Sequence, residues 1–183
     1  MGVRELREQL RQATALTHSR MDEAVGQWPL SSNRDYAAFL MAQIDARSRL
    51  DAAFRRQPPA MIEAPPAQTS LIAHDLGELG FAAPTVSRDF SLDDPYAALG
   101  AAWAMSGSSL GNRTLLVRRR KAGLSGAERF LSDSCLPSYF RELLSVLARP
   151  HRPEEVAAAV TGAEAAFNIF EEAFAQPHME AAA

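Results

Sequence analysis

The sequence contains one cysteine, Cys135, so an intramolecular disulfide framework and a cysteine-built metal site are both excluded. A lone free thiol fits a reducing compartment. No apolar run approaches the roughly 20 residues needed to cross a bilayer. The opening "MGVRELREQLRQ" is charged and has no apolar signal core. Basic excess is also missing: the formal net charge is −3, which argues against general nucleic-acid binding. These absences describe a soluble, cytoplasmic protein with no nucleic-acid or membrane partner. β-Branched residues are scarce, and no segment alternates apolar and polar residues between turns, so strands are not expected. There is no HExxH motif, no paired Glu/His helix arrangement of the di-iron type and no phosphate-loop lysine. No serine triad or cysteine nucleophile can be assembled.

What remains is helical periodicity over 183 residues, which is most simply one all-α domain, 1–183, with six or seven helices. Residues 3–25 place Val3, Leu6, Leu10, Ala13, Thr17, Met21 and Val25 on one face. Ser32 is an N-cap for a helix over 33–56, with Asp35 at the capping-box position. Tyr36, Phe39, Leu40, Ile44, Leu50 and Phe54 form its buried stripe. The proline pairs of "RQPPAMIEAPPAQ" make 57–68 an exposed connector. A helix at about 69–79 closes on Gly80, and 81–92 is loop. Asp94 and Pro95 start a long helix running to about residue 121, interrupted by Gly107 and Gly111. Two further helices are expected at 125–133 and 137–148. Pro153 opens the last, 153–175, with Val156, Val160, Phe167, Phe170 and Phe174 facing inward. Residues 176–183 are a terminal tail.

His18 is one of four histidines and lies at the edge of the first helix's apolar stripe. Taken alone it reads as structural or solvent-facing. Asp22 at i+4 can reach its outer ring nitrogen, the arrangement that fixes the tautomer of a metal-ligating imidazole. Arg11 projects from the same side two turns earlier, where it can meet an anionic edge of a planar ligand. In "MSGSSLGNR", Gly107 and Gly111 lie on one helix face. Glycine there means that something approaches the backbone closely or that the helix bends. Helix–helix contact and a ligand explain such spacing equally well. Ser106, Ser108 and Ser109 suit local bonding to the helix backbone. The run "VRRRKAG", 117–123, reads as a solvated face near a helix end, or as a docking patch for an acidic redox partner. His74 and Asp75 are adjacent and do not face each other, so they make a poor dyad. His151 and His178 fall in a loop and near the terminus.

Four segments together resemble the bacterial-type heme oxygenases. "LREQLRQATALTHSRMDEAV" resembles the family's opening helix, with a threonine four residues before the proximal histidine and an acidic residue four after it. "LGAAWAMSGSSLGNRTL" resembles the distal helix with its Gly-Ser-x-Leu-Gly core. "LIAHDLGELG" resembles a short helix with an Asp-Leu-x-x-Leu-Gly ending, and "AEAAFNIFEEAFA" the closing aromatic helix. Their order and spacing cover nearly the whole chain.

The resemblance implies a bundle that holds heme between the first helix and a glycine-kinked distal helix. It implies His18 as the ligand to heme iron, Asp22 as its orienting group and Arg11 beside a propionate. Gly107, Ser108 and Gly111 would form the catalytic turn, with Asn112 beside the heme. The implied activity is cleavage of heme by O2 to biliverdin, CO and ferrous iron. Electrons would come from a reductase or ferredoxin, and the product would serve iron acquisition or a bilin-binding phytochrome. The chain departs from the family pattern at Ser106, often acidic, at Ser108, often aspartate, and at Asn112, where the paired glycine stands. Bacterial members with the Gly-Ser-x-Leu-Gly core also lack that aspartate, so the departures at Ser106 and Asn112 are the ones that suit the alternative of a heme storage, transfer or sensor protein of the same fold. Without the resemblance, the residues leave open a helical interaction module in which His18 is incidental.

Overall fold

The computed structural model describes residues 5–28, 30–85 and 88–176. Among them every regular element is helical. They are α1 (Leu6–Gln27), α2 (Asn33–Arg56), α3 (Thr69–Glu78), α4 (Pro95–Gly107), a 3₁₀ turn (Ser108–Gly111), α5 (Asn112–Lys121), α6 (Arg129–Ser132), α7 (Cys135–Leu147) and α8 (Pro153–Ala175). With α4, the turn and α5 taken as one interrupted helix, the described residues hold seven. None is long and apolar enough to cross a membrane.

The helix ends follow from local chemistry. The Ser32 hydroxyl accepts from the Asp35 backbone N–H at 3.0 Å. The Asp35 carboxylate accepts in return from the Ser32 hydroxyl and backbone, and this holds its pKa below the usual carboxylate range. The Asp94 carboxylate caps α4 by accepting from the backbone of Tyr96 at 2.7 Å and Ala97 at 3.2 Å. At the end of α3, Gly80 has φ +82°. That left-handed residue lets Phe81 N–H reach back to Leu76 O at 2.9 Å.

The core centres on α4, which is apolar on all sides and buried from Ala98 to Ser106. It crosses α8 with backbones in contact. A Cβ built on Gly100 would fall 1.8 Å from Ala159 O, and one on Gly162 would fall 1.8 Å from Ala97 O. Only glycine fits at either place. Leu6, Leu10, Leu50, Phe54, Leu143 and Phe170 pack around this crossing. A second cluster, with Tyr36, Phe39, Leu40, Ile72, Leu76 and Phe130, fills the space between α2, α3 and α6. Phe174 touches both.

Several sequence-based expectations change. In α1 the buried residues are Leu6, Leu10 and Thr14, while Ala13 is exposed. Val3 lies outside the described residues. Beyond Thr14 no residue of α1 is fully buried, because its inner face borders a cleft. The connector 57–68 is non-helical but only partly exposed. Pro59, Pro65 and Gln68 are buried, and Ala60 N–H bonds Pro95 O at 2.8 Å. The helix expected at 125–133 shrinks to Arg129–Ser132. Glu78 Oε2 accepts from Ala127 N–H at 2.8 Å, with Ala127 at φ 51°. This tertiary anchor outweighs local helix preference.

The basic run is a solvated face only in part: Arg120 and Lys121 are exposed, Arg118 is half-buried and Arg119 turns inward. Arg119 is fully buried, with its guanidinium 3.8 Å from the Tyr36 ring centroid. Arg120 pairs with Glu128 at 2.5 Å. Arg118 donates to Gly26 O and Trp28 O, each at 3.2 Å, and so ties α5 to the end of α1. Cys135 is free and exposed. His178 and the tail from 177 onward lie outside the described residues.

Candidate functional site

A cleft of about 800 Å³ opens between α1 on one side and α4, the 3₁₀ turn and α5 on the other, with Phe167, Phe170 and Phe174 of α8 beneath. Its size suits a medium-sized organic ligand. The α1 wall carries Thr14, His18, Met21, Asp22 and Val25, the continuation of the stripe that begins at Leu6. The stripe therefore has two partners: core for its first two turns, open cleft for the rest.

His18 Nδ1 lies 3.0 Å from Asp22 Oδ2. The pair spans one helical turn, which sets the ring orientation and leaves Nε2 for another partner. The His18 side chain is 53 % exposed, and its ring rests edge-on against Phe167 at 5.8 Å between centroids. Phe167 in turn meets Trp103 edge-on at 6.4 Å. Arg11 lines the mouth; its nearest charged neighbour is Glu8 at 4.0 Å, and its side chain is 64 % exposed.

The opposite wall is built on missing side chains. A Cβ on Gly111 would meet nothing within 4 Å, and one on Gly107 would meet only the Phe140 ring at 3.7 Å. Helix–helix contact therefore does not account for these two glycines. That role belongs to Gly100 and Gly162. The backbone at 108–111 tightens into a 3₁₀ turn between two α-helices, so the long helix is interrupted where the glycines lead one to expect it. Ser108 Oγ donates to Met105 O, and Ser109 Oγ to Ser106 O, each at 2.6 Å. Ser106 is fully buried with its hydroxyl unpartnered, and it stands apart from the cleft lining. Asn112 is buried at the start of α5 and borders the cleft.

The structure thus brings His18, Asp22, Arg11, Gly107, Ser108, Gly111 and Asn112 to one cleft. Two residues that the sequence analysis passed over join them from α2. Gln43 lines the cleft, and its Oε1 accepts from Arg47 Nε at 2.9 Å. Arg47 Nη2 donates to Ser108 Oγ at 2.9 Å. Burial lowers the Arg47 pKa to about 10 and raises that of Asp51, one turn further on, to about 6.

His74, Asp75 and Glu78 have ligand atoms within 4.8 Å of one another. Their carboxylates have other work: Asp75 accepts from the backbone of Arg129 at 3.1 Å and of Phe130 at 2.9 Å, and Glu78 holds Ala127. His151 is packed behind α7, with Nε2 3.2 Å from Val146 O.

No protein-family profile and no curated protein matches the sequence. The structure is similar to the crystal structures of the NO- and CO-bound heme oxygenase from Neisseria meningitidis, with a TM-score of 0.72 and 22% identity. The match covers 94% of this chain and 91% of that one. The chain has the all-α heme oxygenase-like fold.

Proposed function

We propose that this chain is a heme oxygenase: it binds heme in the cleft and opens it with O2 and electrons from a reductase or ferredoxin, giving biliverdin, CO and ferrous iron. The observation that carries the proposal is the His18–Asp22 pair at 3.0 Å on one wall of a cleft whose other wall includes Gly107 and Gly111. The residues suit heme in three ways. The His18 ring keeps one nitrogen for iron while Asp22 holds the other. Aromatic rings supply an apolar bed. Arg11 and Arg7 line the cleft and suit propionates.

Bound heme supplies both the iron that activates O2 and the ring that is cleaved. The protein's part is placement and exclusion. Asp22 fixes which His18 nitrogen carries the proton. Gly107 and Gly111 would keep side chains out of the part of the cleft that they line. Phe140, Phe167 and Phe170 exclude bulk water. Ser108 offers a hydroxyl oxygen at the turn, where ordered water can dock. The cytoplasm supplies the reductant this chemistry needs, and the freed bilin would pass to iron recycling or to a bilin-binding phytochrome.

A hemin titration tests heme binding through the appearance of a Soret band. Addition of reductant and O2 then tests turnover through the loss of that band. A stable Soret band under those conditions would establish the alternative, a heme carrier or sensor. That alternative has Ser106 in its favour: a buried, unpartnered hydroxyl outside the cleft supplies no acid there.

Gly111→Leu separates a ligand role for the turn from a packing role. The added side chain enters open space, so thermal unfolding of the apo protein is expected to be unchanged or slightly raised by removal of a helical glycine. Hemin affinity or turnover is expected to fall. A large loss of apo stability with normal heme chemistry would remove the turn from the site.

Asp22→Asn is expected to leave hemin binding in place but lower affinity or turnover about 10–100-fold, as loss of a group that orients a metal ligand does. The iron–histidine stretching frequency should drop. An unchanged frequency would rule out Asp22 as the orienting group.

A further inference from the structure

Arg47 stands where a core side chain is expected. It is 1% exposed, and its guanidinium carbon lies 5.1 Å from the Phe130 ring centroid and 5.7 Å from that of Phe170. Asp51 and Asp133 act on it only at longer range, and it remains a cation at neutral pH. Burying a cation without a direct partner is costly. Its hydrogen bonds show what it does locally. Nε donates to Gln43 Oε1 and Nη2 to Ser108 Oγ, each at 2.9 Å, and both of those residues line the cleft.

A guanidinium only donates. Gln43 must therefore turn its oxygen to Arg47, which settles an amide orientation that atom positions alone leave ambiguous. Its NH2 group then points elsewhere. Among the described residues no hydrogen-bond acceptor meets it, and it is not sealed from the open space. The open space beside Gln43 is the cleft. Ser108 is constrained in the opposite sense. Its one proton goes to Met105 O at 2.6 Å, so toward the cleft it can only accept.

We propose that Arg47 is a positioning residue that fixes the polarity of the cleft, turning Gln43 into a hydrogen-bond donor and Ser108 into an acceptor. Gln43 is then a specificity-determining residue that favours small ligands able to accept a hydrogen bond over those that accept poorly. This rests on the heme-binding function proposed above, since such ligands would be held at the heme.

The test uses hemin-loaded wild type, Gln43→Leu and Arg47→Met. Fluoride on the ferric protein is the strong acceptor and CO on the ferrous protein the weak one. Gln43→Leu is expected to weaken fluoride binding by roughly 10- to 100-fold, the effect of one hydrogen bond to a charged partner, and to leave CO affinity unchanged. Arg47→Met, similar in volume and apolar, frees the amide to rotate and should weaken fluoride by a smaller factor with CO again unchanged. Because Gln43→Leu leaves Arg47 in place, the test stands even if Arg47→Met fails to fold. Absence of a Soret band in the wild type overturns the heme reading and this inference with it. A normal Soret band with fluoride affinity unchanged in Gln43→Leu, or with fluoride and CO weakened equally, overturns this inference alone.

Discussion

Gly100→Ala is expected to destabilise the apo protein by more than about 3 kcal/mol, at or beyond the upper end of ordinary overpacking. Helix propensity predicts the opposite, since alanine is favoured over glycine in a helix interior by about 1 kcal/mol. Contact geometry decides the sign. The new Cβ would fall 1.8 Å from Ala159 O, 2.6 Å from its carbonyl carbon and 3.0 Å from its Cα. All three are backbone atoms, so no side chain can rotate away, and α4 and α8 must separate. For a chain of this length, that loss corresponds to a fall in melting temperature of roughly 6–12 °C. Gly162→Ala should behave alike, since its Cβ would strike Ala97 O at the same distance. Gly111→Ala is the control: with nothing within 4 Å, it should be neutral or mildly stabilising. Thermal unfolding of the three apo variants checks this, and an unchanged melting temperature for Gly100→Ala would mean that the helices are not in backbone contact. Separation of α4 from α8 would also part Trp103 from Phe167, which meet at 6.4 Å below the cleft.

The four interior glycines show how far a sequence can be read here. The sequence exposes the expense of a helical glycine but not what occupies the space. Gly107 and Gly111, four residues apart, announce themselves as a pair. Gly100 and Gly162 touch the same crossing from helices far apart in the chain, and nothing local connects them. The α2 residues are a different case. Tyr36, Leu40, Gln43, Arg47, Leu50 and Phe54 follow one core-facing seam at steps of three and four, and all six are buried. Two polar residues on such a seam are a legible signal of a functional or structural polar contact. Counting only apolar positions hides it.

Other features follow from contacts that sequence neighbours do not show. Helix boundaries set by caps, such as Ser32, Asp94 and Gly80, were legible because the capping group lies within three residues of what it caps. The segment 125–128 was not, because Glu78 holds Ala127 and Asp75 holds Arg129 and Phe130 just beyond it, both from some fifty residues earlier. Arg119 could not be told from Arg118 and Arg120 by composition. One of the three falls on the side of α5 that carries Leu115 and Leu116, and burial follows. His18 and Asp22 were legible as a pair since i and i+4 meet on any helix. That the pair faces a cleft is a property of α1's packing and appears only in three dimensions.

His18→Ala is expected to abolish normal heme chemistry while leaving the apo fold intact. The stability half follows from exposure. The imidazole is 53% exposed and its Asp22 partner 72%, so the ion pair contributes about 0–1 kcal/mol at most. Alanine recovers a few tenths of a kcal/mol to about 0.7 in helix propensity. The edge contact with Phe167 is lost, but no core cavity opens. Circular dichroism and the apo melting temperature should match wild type. The chemical half follows from placement. Loss of a group that only orients a ligand costs about 10–100-fold, and loss of the ligand itself should exceed that in turnover. The ferric spectrum should change as well. Two outcomes discriminate further. Free imidazole added to the variant should restore much of the spectrum, because the space left beside Phe167 opens directly on the cleft. Ala13→Ser, on the exposed face of the same helix, should change nothing. A His18→Ala protein whose heme spectrum and turnover equal those of wild type would show that iron is held elsewhere. Since the remaining described histidines, His74 and His151, stand outside the cleft lining, that result would remove the heme oxygenase reading with it.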